Sequence, residues 1–121
     1  MPETTDSYET HDLISSDRVE GTIVYNLEGE RLGTISRFMV NKRTGKAQYA
    51  VLQFGGLFGL GSDYYPLPWQ ILTYDPAQGG YVVNIDREQL ENAPHYSEND
   101  TPTYDNDYNW RVYSHYGLTY A

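Results

Sequence analysis

Arg31-Leu32-Gly33-Thr34-Ile35-Ser36-Arg37-Phe38-Met39-Val40-Asn41, then Lys42-Arg43-Thr44-Gly45-Lys46, then Ala47-Gln48-Tyr49-Ala50-Val51-Leu52-Gln53-Phe54: this stretch decides the fold class. Its third part alternates, with Ala50, Leu52 and Phe54 on one face of a strand and Tyr49 and Val51 on the other. Its first part reads as a strand whose apolar residues are Ile35, Phe38, Met39 and Val40. The break in alternation at Phe38-Met39 predicts a bulge or a twist. The middle part is a turn, with Gly45 where a positive φ is wanted. Apolar residues on both faces mean that something beyond one small core must cover the second face.

Outward from this stretch, Gly21-Thr22-Ile23-Val24-Tyr25-Asn26 is a preceding β-rich run that ends in a turn. Gly55–Gly61 is a glycine-rich loop that carries Leu57, Phe58 and Leu60. Tyr64–Leu72 follows, and Pro66 and Pro68 confine it to a sheet edge or a strand start because proline donates nothing to a ladder. After a long turn at Tyr74–Gly80, Tyr81–Ile85 reads as a fifth strand. Asp86 is a plausible cap for a short helix through Asn92. No long helical pattern separates these strands, so the expected class is all-β, a small barrel or sandwich. In the tail, Tyr104, Tyr108, Val112 and Tyr116 fall four apart with Tyr113 beside them, the spacing of a short amphipathic helix.

Composition narrows the function classes. The 121 residues allow one domain. The absence of cysteine excludes disulfides, thiolate metal sites and cysteine nucleophiles. Of the net charge of −9, residues 1–16 carry −4 (four acids, no bases), residues 17–96 carry −2 (nine acids, seven bases) and residues 97–121 carry −3 (four acids, one base). The basic cluster Lys42-Arg43-x-x-Lys46 stands alone, which argues against direct binding of nucleic acid or anionic lipid. No window is apolar enough for a membrane span, and the polar start does not read as a secretory signal, so a cytoplasmic protein is expected.

Residues 1–16 are read as a disordered acidic segment, 17–96 as the domain, and 97–121 as a tail docking on its own or a partner's barrel. Asp105-x-Asp107-x-Asn109 starts like a calcium loop, but Trp110 and Tyr116 stand where such a loop needs Gly and Glu. His11, His95 and His115 lack ligand-like companions. The Gly55–Gly61 loop fits no phosphate-binding pattern. No catalytic residue, cofactor or metal is therefore expected. The candidate interaction surface is Tyr49, Val51, Leu57, Phe58, Leu60, Tyr64, Tyr65 and Trp69, and the candidate docking residues of the tail are Tyr108, Val112, Tyr113 and Tyr116. From Gln48 to Gly61 no residue is charged, so nothing there resists self-association and a homodimer is expected, beside a protein partner of unknown identity.

From Gly21 to Tyr96 the chain resembles the PRC-barrel family, on Gly21-Thr22-x-Val24-Tyr25-Asn26-x-x-Gly29-Glu30-x-Leu32-Gly33-x-Ile35 and on Asn41-Lys42-Arg43-Thr44-Gly45-Lys46-x-x-Tyr49-Ala50-Val51-Leu52-x-Phe54-Gly55-Gly56. Tyr64-Tyr65-Pro66-Leu67-Pro68-Trp69 and Gly79-Gly80-Tyr81-Val82-Val83 complete the set, and the tail resembles that of small stand-alone bacterial members. The resemblance implies a six-stranded antiparallel PRC-type barrel with a short helix after its last strand, and a role by contact without catalysis. The family includes the cytoplasmic domain of the photosynthetic reaction-centre H subunit and a domain of a ribosome maturation factor. The main expectation is an adaptor or scaffold module. The alternatives are a ribosome-associated or RNA-processing factor and a small-molecule-sensing barrel.

Overall fold

A computed structural model describes residues 13–54 and 63–120. Its elements are α1 (Ser16–Val19), β1 (Ile23–Tyr25), β2 (Arg31–Val40), β3 (Ala47–Phe54), β4 (Asp63–Pro68), a 3-10 turn (Trp69–Ile71), β5 (Leu72–Asp75), β6 (Gly80–Val83), α2 (Arg87–Glu91), β7 (Tyr96–Ser97), a second 3-10 turn (Glu98–Asp100) and α3 (Asn106–His115). No helix among the described residues is long and apolar enough to cross a membrane.

The protein is mostly β, but the expected closed antiparallel barrel is replaced by one seven-stranded mixed sheet in the order β5-β6-β1-β2-β3-β4-β7. Two local causes are visible. First, β1 and β6 pair in parallel, Val24 with Tyr81 and Tyr25 with Val82, so the sheet is not antiparallel throughout. Second, β7 pairs only with Asp63 and Tyr64 of β4. Pro66 and Pro68 follow, and neither has an N–H to extend that ladder. The stretch read as one strand from Tyr64 to Leu72 is split by the Trp69–Ile71 turn into β4 and β5. Strand β7 also follows α2, so that helix does not come after the last strand.

The β2–β3 pairing shows why the alternation breaks. Ile35 faces Leu52 and Phe38 faces Ala50, with a register shift between Ile35 and Arg37. Ile35 and Phe38 are three positions apart and would point to opposite faces of a regular strand. The irregularity lets both join the core, in which Val24, Leu32, Ile35, Ala50, Leu52, Leu67, Val83 and Leu90 are buried. The hairpin turn is built by Asn41, whose Oδ1 accepts from the amides of Arg43 (2.9 Å) and Thr44 (3.0 Å), and by Gly45 at φ 74°.

The second face of β3 is also closed. Tyr49 is 1% exposed and forms a separate apolar cluster with Tyr108, Val112 and Tyr113 of α3. Pro66 and Pro68 are buried too, and they pair with Val51 and Tyr49. Helix α3 is held at both ends. The Asp105 carboxylate accepts from the Tyr108 amide (2.9 Å). At the other end Gly117 (φ 73°) donates to the Ser114 carbonyl and Leu118 to the Tyr113 carbonyl, a Schellman arrangement. Helix α2 carries a reciprocal cap between Asp86 and Gln89. Helix α1 begins at Ser16, at the last residue assigned to the acidic segment, and residues 1–12 of that segment lie outside the described residues.

Candidate interaction site

The eight residues of the expected interaction surface do not share one open face. Tyr49 and Val51 are buried on the α3 side of β3, and Tyr65 is buried in the core on the other side. Tyr64 and Tyr65 are strand neighbours and so point to opposite faces. Tyr64 stacks on Tyr96, and half-buried Trp69 packs against Phe38 and Tyr81. Leu57, Phe58 and Leu60 lie outside the described residues. Of the tail residues, Tyr108, Val112 and Tyr113 are buried against Tyr49, and Tyr116 packs against both clusters.

An open surface is found at the seam where α3 and the C-terminal segment meet the β2–β3 hairpin. A groove of about 260 Å³ is lined there by Met39, Val40, Gln48, Tyr49, Tyr104 and Tyr120 together with Asn106 and Asn109. Its floor is a polar network. The Tyr49 hydroxyl donates to Asn109 Oδ1 (2.6 Å), and Asn109 Nδ2 donates to the Tyr120 hydroxyl (3.1 Å) and to the Tyr104 carbonyl (3.4 Å). Buried Asn109 thereby ties sheet, helix and C-terminal segment together. Beside the groove Trp110 is 60% exposed and Val40 46% exposed. Sequence reading missed Trp110 because it lies off the aromatic stripe, on the polar side of the helix. A large aromatic on a polar helix face was the available signal.

The titratable groups around the groove are shaped by burial and hydrogen bonding. Burial, followed by neighbouring phenols, holds the Tyr49 hydroxyl above its ordinary pKa. Burial and the hydrogen bond with Tyr96 do the same for Tyr104, and burial does so for Tyr116. Burial, then Tyr96, pushes Tyr108 up to about 12, with Arg111 opposing. These phenols stay protonated near neutrality and cannot serve as bases there. Asp75 is held below its usual range by hydrogen bonds from Gln78 and the Ala77 amide, and it caps a turn. His95 is occupied as well: its Nδ1 lies 2.8 Å from the Ala93 carbonyl, its Nε2 3.6 Å from Asp63, and its ring stacks on Tyr65. In Asp105-x-Asp107-x-Asn109, Asp105 caps the helix and Asn109 faces the sheet, so the three do not converge on an ion.

The tyrosine cluster makes a pH prediction. A phenol whose folded pKa is raised contributes stability that is complete below the unfolded pKa near 10 and is lost as pH climbs toward the folded value. Stability should therefore fall between roughly pH 10 and the value of about 12 for Tyr108. Tyrosinate absorbance and circular dichroism followed together should show the buried phenols ionising only as the fold is lost. Independent ionisation of all 13 tyrosines with the fold intact would contradict the placement of this cluster.

The profile of the PRC-barrel domain matches residues 11–90. A comparison with curated proteins finds no match. Among solved structures, a 16S ribosomal RNA processing protein, RimM, from Pseudomonas aeruginosa is similar at a TM-score of 0.41 and 20% identity, over 73% of this chain and 50% of that one. This chain thus spans about half the length of that protein.

Proposed function

This chain belongs to the PRC-barrel family, and from that premise we propose that it is a non-catalytic protein-interaction module of the cytoplasm. One observation carries the reading. The domain closes both faces of β3 with its own residues and still leaves Trp110 60% exposed, beside an aromatic groove with a hydrogen-bonded floor. Exposed Trp next to Tyr is the composition of an interface centre. Adaptor or scaffold work needs such a rigid contact face and no reactive group. A second reading, a ribosome-associated or RNA-processing role, has the exposed Lys42-Arg43-x-x-Lys46 tip in its favour and the net charge of −9 against it.

The test is a photo-crosslinking phenylalanine analogue in place of Trp110, with the same group in place of exposed Glu88, beyond the groove, as control. Protein adducts specific to position 110 are the expected result. RNA adducts there would favour the second reading, and equal labelling at 110 and 88 would remove the contact surface altogether.

A further inference from the structure

We propose that the Trp110 seam is the face through which two copies of this chain associate about a two-fold axis; this deepens the contact-module reading by naming its partner. The reason is the way charge is arranged around the apolar centre. Tyr120 lines three adjoining depressions. One is shared with Asn41, Thr44, Lys46 and Tyr113, the central one with Val40, Gln48 and Asn109, and the third with Asn106, Asp107 and Trp110. Lys46 therefore marks one end of the seam and Asp107 the other. Along α3, Asn106 and Tyr113 are seven residues apart, so the two ends are separated by about 10 Å.

Each end carries unspent charge. Lys42, Arg43 and Lys46 are exposed at the hairpin tip, Asp107 is exposed in the first turn of α3, and none of them makes an ion pair among the described residues. A patch with a cation at one end, an anion at the other and exposed Trp110 and Val40 between them is complementary to itself after a two-fold rotation. Lys46 of each copy then meets Asp107 of the other, while the two tryptophans cover the centre. An isologous interface has this symmetry. A partner of uniform charge would match one end and be repelled by the other. Among the described residues the hairpin cations have no counter-charge beside them, and the second copy supplies it. The contact is compact, so it should be weak and salt-sensitive.

The experiment is sedimentation of the full chain at roughly 100 µM, in low and high salt. The wild type should sediment as a dimer that loosens as salt rises. Lys46→Glu sets acid against acid, and Asp107→Lys sets base against base; each should weaken association about tenfold. Mixing the two variants in equal amounts should restore the dimer, because both contacts of the mixed pair then join unlike charges. At one contact the two substituted positions face each other with their signs exchanged, and at the other the native Lys46 of one copy meets the native Asp107 of the other. Trp110→Ala should weaken association without changing its salt dependence. All these positions are exposed, so each variant should stay folded, which circular dichroism checks. A monomeric wild type, a charge variant as dimeric as the wild type, or a mixture that stays monomeric would each overturn the proposal. A monomer that still gives protein adducts at position 110 would sink self-association and leave the contact module standing.

Discussion

Deleting residues 104–121 should lower the melting temperature by roughly 15–30 °C, or leave a chain that no longer unfolds cooperatively. The deletion removes Tyr108, Val112 and Tyr113, which are buried, and uncovers Tyr49, Pro66 and Pro68 on the second face of the sheet. Burying a large apolar side chain contributes about 1.5–3 kcal/mol. Three such side chains together would give roughly 4–9 kcal/mol, but ordering the helix costs conformational entropy, so a net loss of about 3–6 kcal/mol is expected. Domains of this size hold only about 5–15 kcal/mol in total. Thermal unfolding of the full and shortened chains decides the matter. An unchanged midpoint would mean that α3 contributes nothing to the fold. The shortened protein should also aggregate, since a sheet face rich in tyrosine and proline would then meet water.

Replacing Tyr49 by alanine should cost about 3–5 kcal/mol, the range for emptying the site of a buried aromatic ring. Tyr49 is the joint between sheet and helix. Its ring meets Tyr104 and Tyr113 edge-on, with centroids at 5.4 and 5.6 Å, and its hydroxyl donates to Asn109. Tyr49→Phe separates the two contributions. It keeps the ring and leaves the buried Asn109 oxygen without that donor, which should cost about 1–3 kcal/mol. Denaturant titrations of Tyr49→Phe, Asn109→Ala and the double variant should then show a coupling of about 1 kcal/mol. Additive single effects would mean that this hydrogen bond contributes no stability. Equal losses for Tyr49→Phe and Tyr49→Ala would mean that the ring itself does not matter.

Much of the fold was legible locally. The β2–β3 hairpin is written in the alternation from Ala47 to Phe54, in the turn residues Asn41 and Gly45, and in the irregular spacing of Ile35 and Phe38, which a regular strand could not satisfy. The candidate site was less legible. Tyr49 and Val51 were read as apolar residues in need of cover, but whether a helix, a loop or a second copy covers them depends on contacts from far along the chain. Trp110 lies off the stripe that the sequence shows, and its exposure follows from how α3 docks on the sheet.

By itself the sequence determined the β class, the hairpin and its face assignment, the capped start of α2 at Asp86, and an acidic, cysteine-free chain. Each of these follows from residues within a few positions of one another, where alternation, turn chemistry and charge act directly. Tertiary structure alone decided the parallel pairing of β1 with β6 and the burial of Tyr49 under α3. The pairs involved are Val24 with Tyr81 and Tyr49 with Asn109, partners some sixty residues apart. No local periodicity encodes such a pairing, because it wins only by the apolar area and hydrogen bonds that the whole fold gains against the entropy of closing the long loop between them.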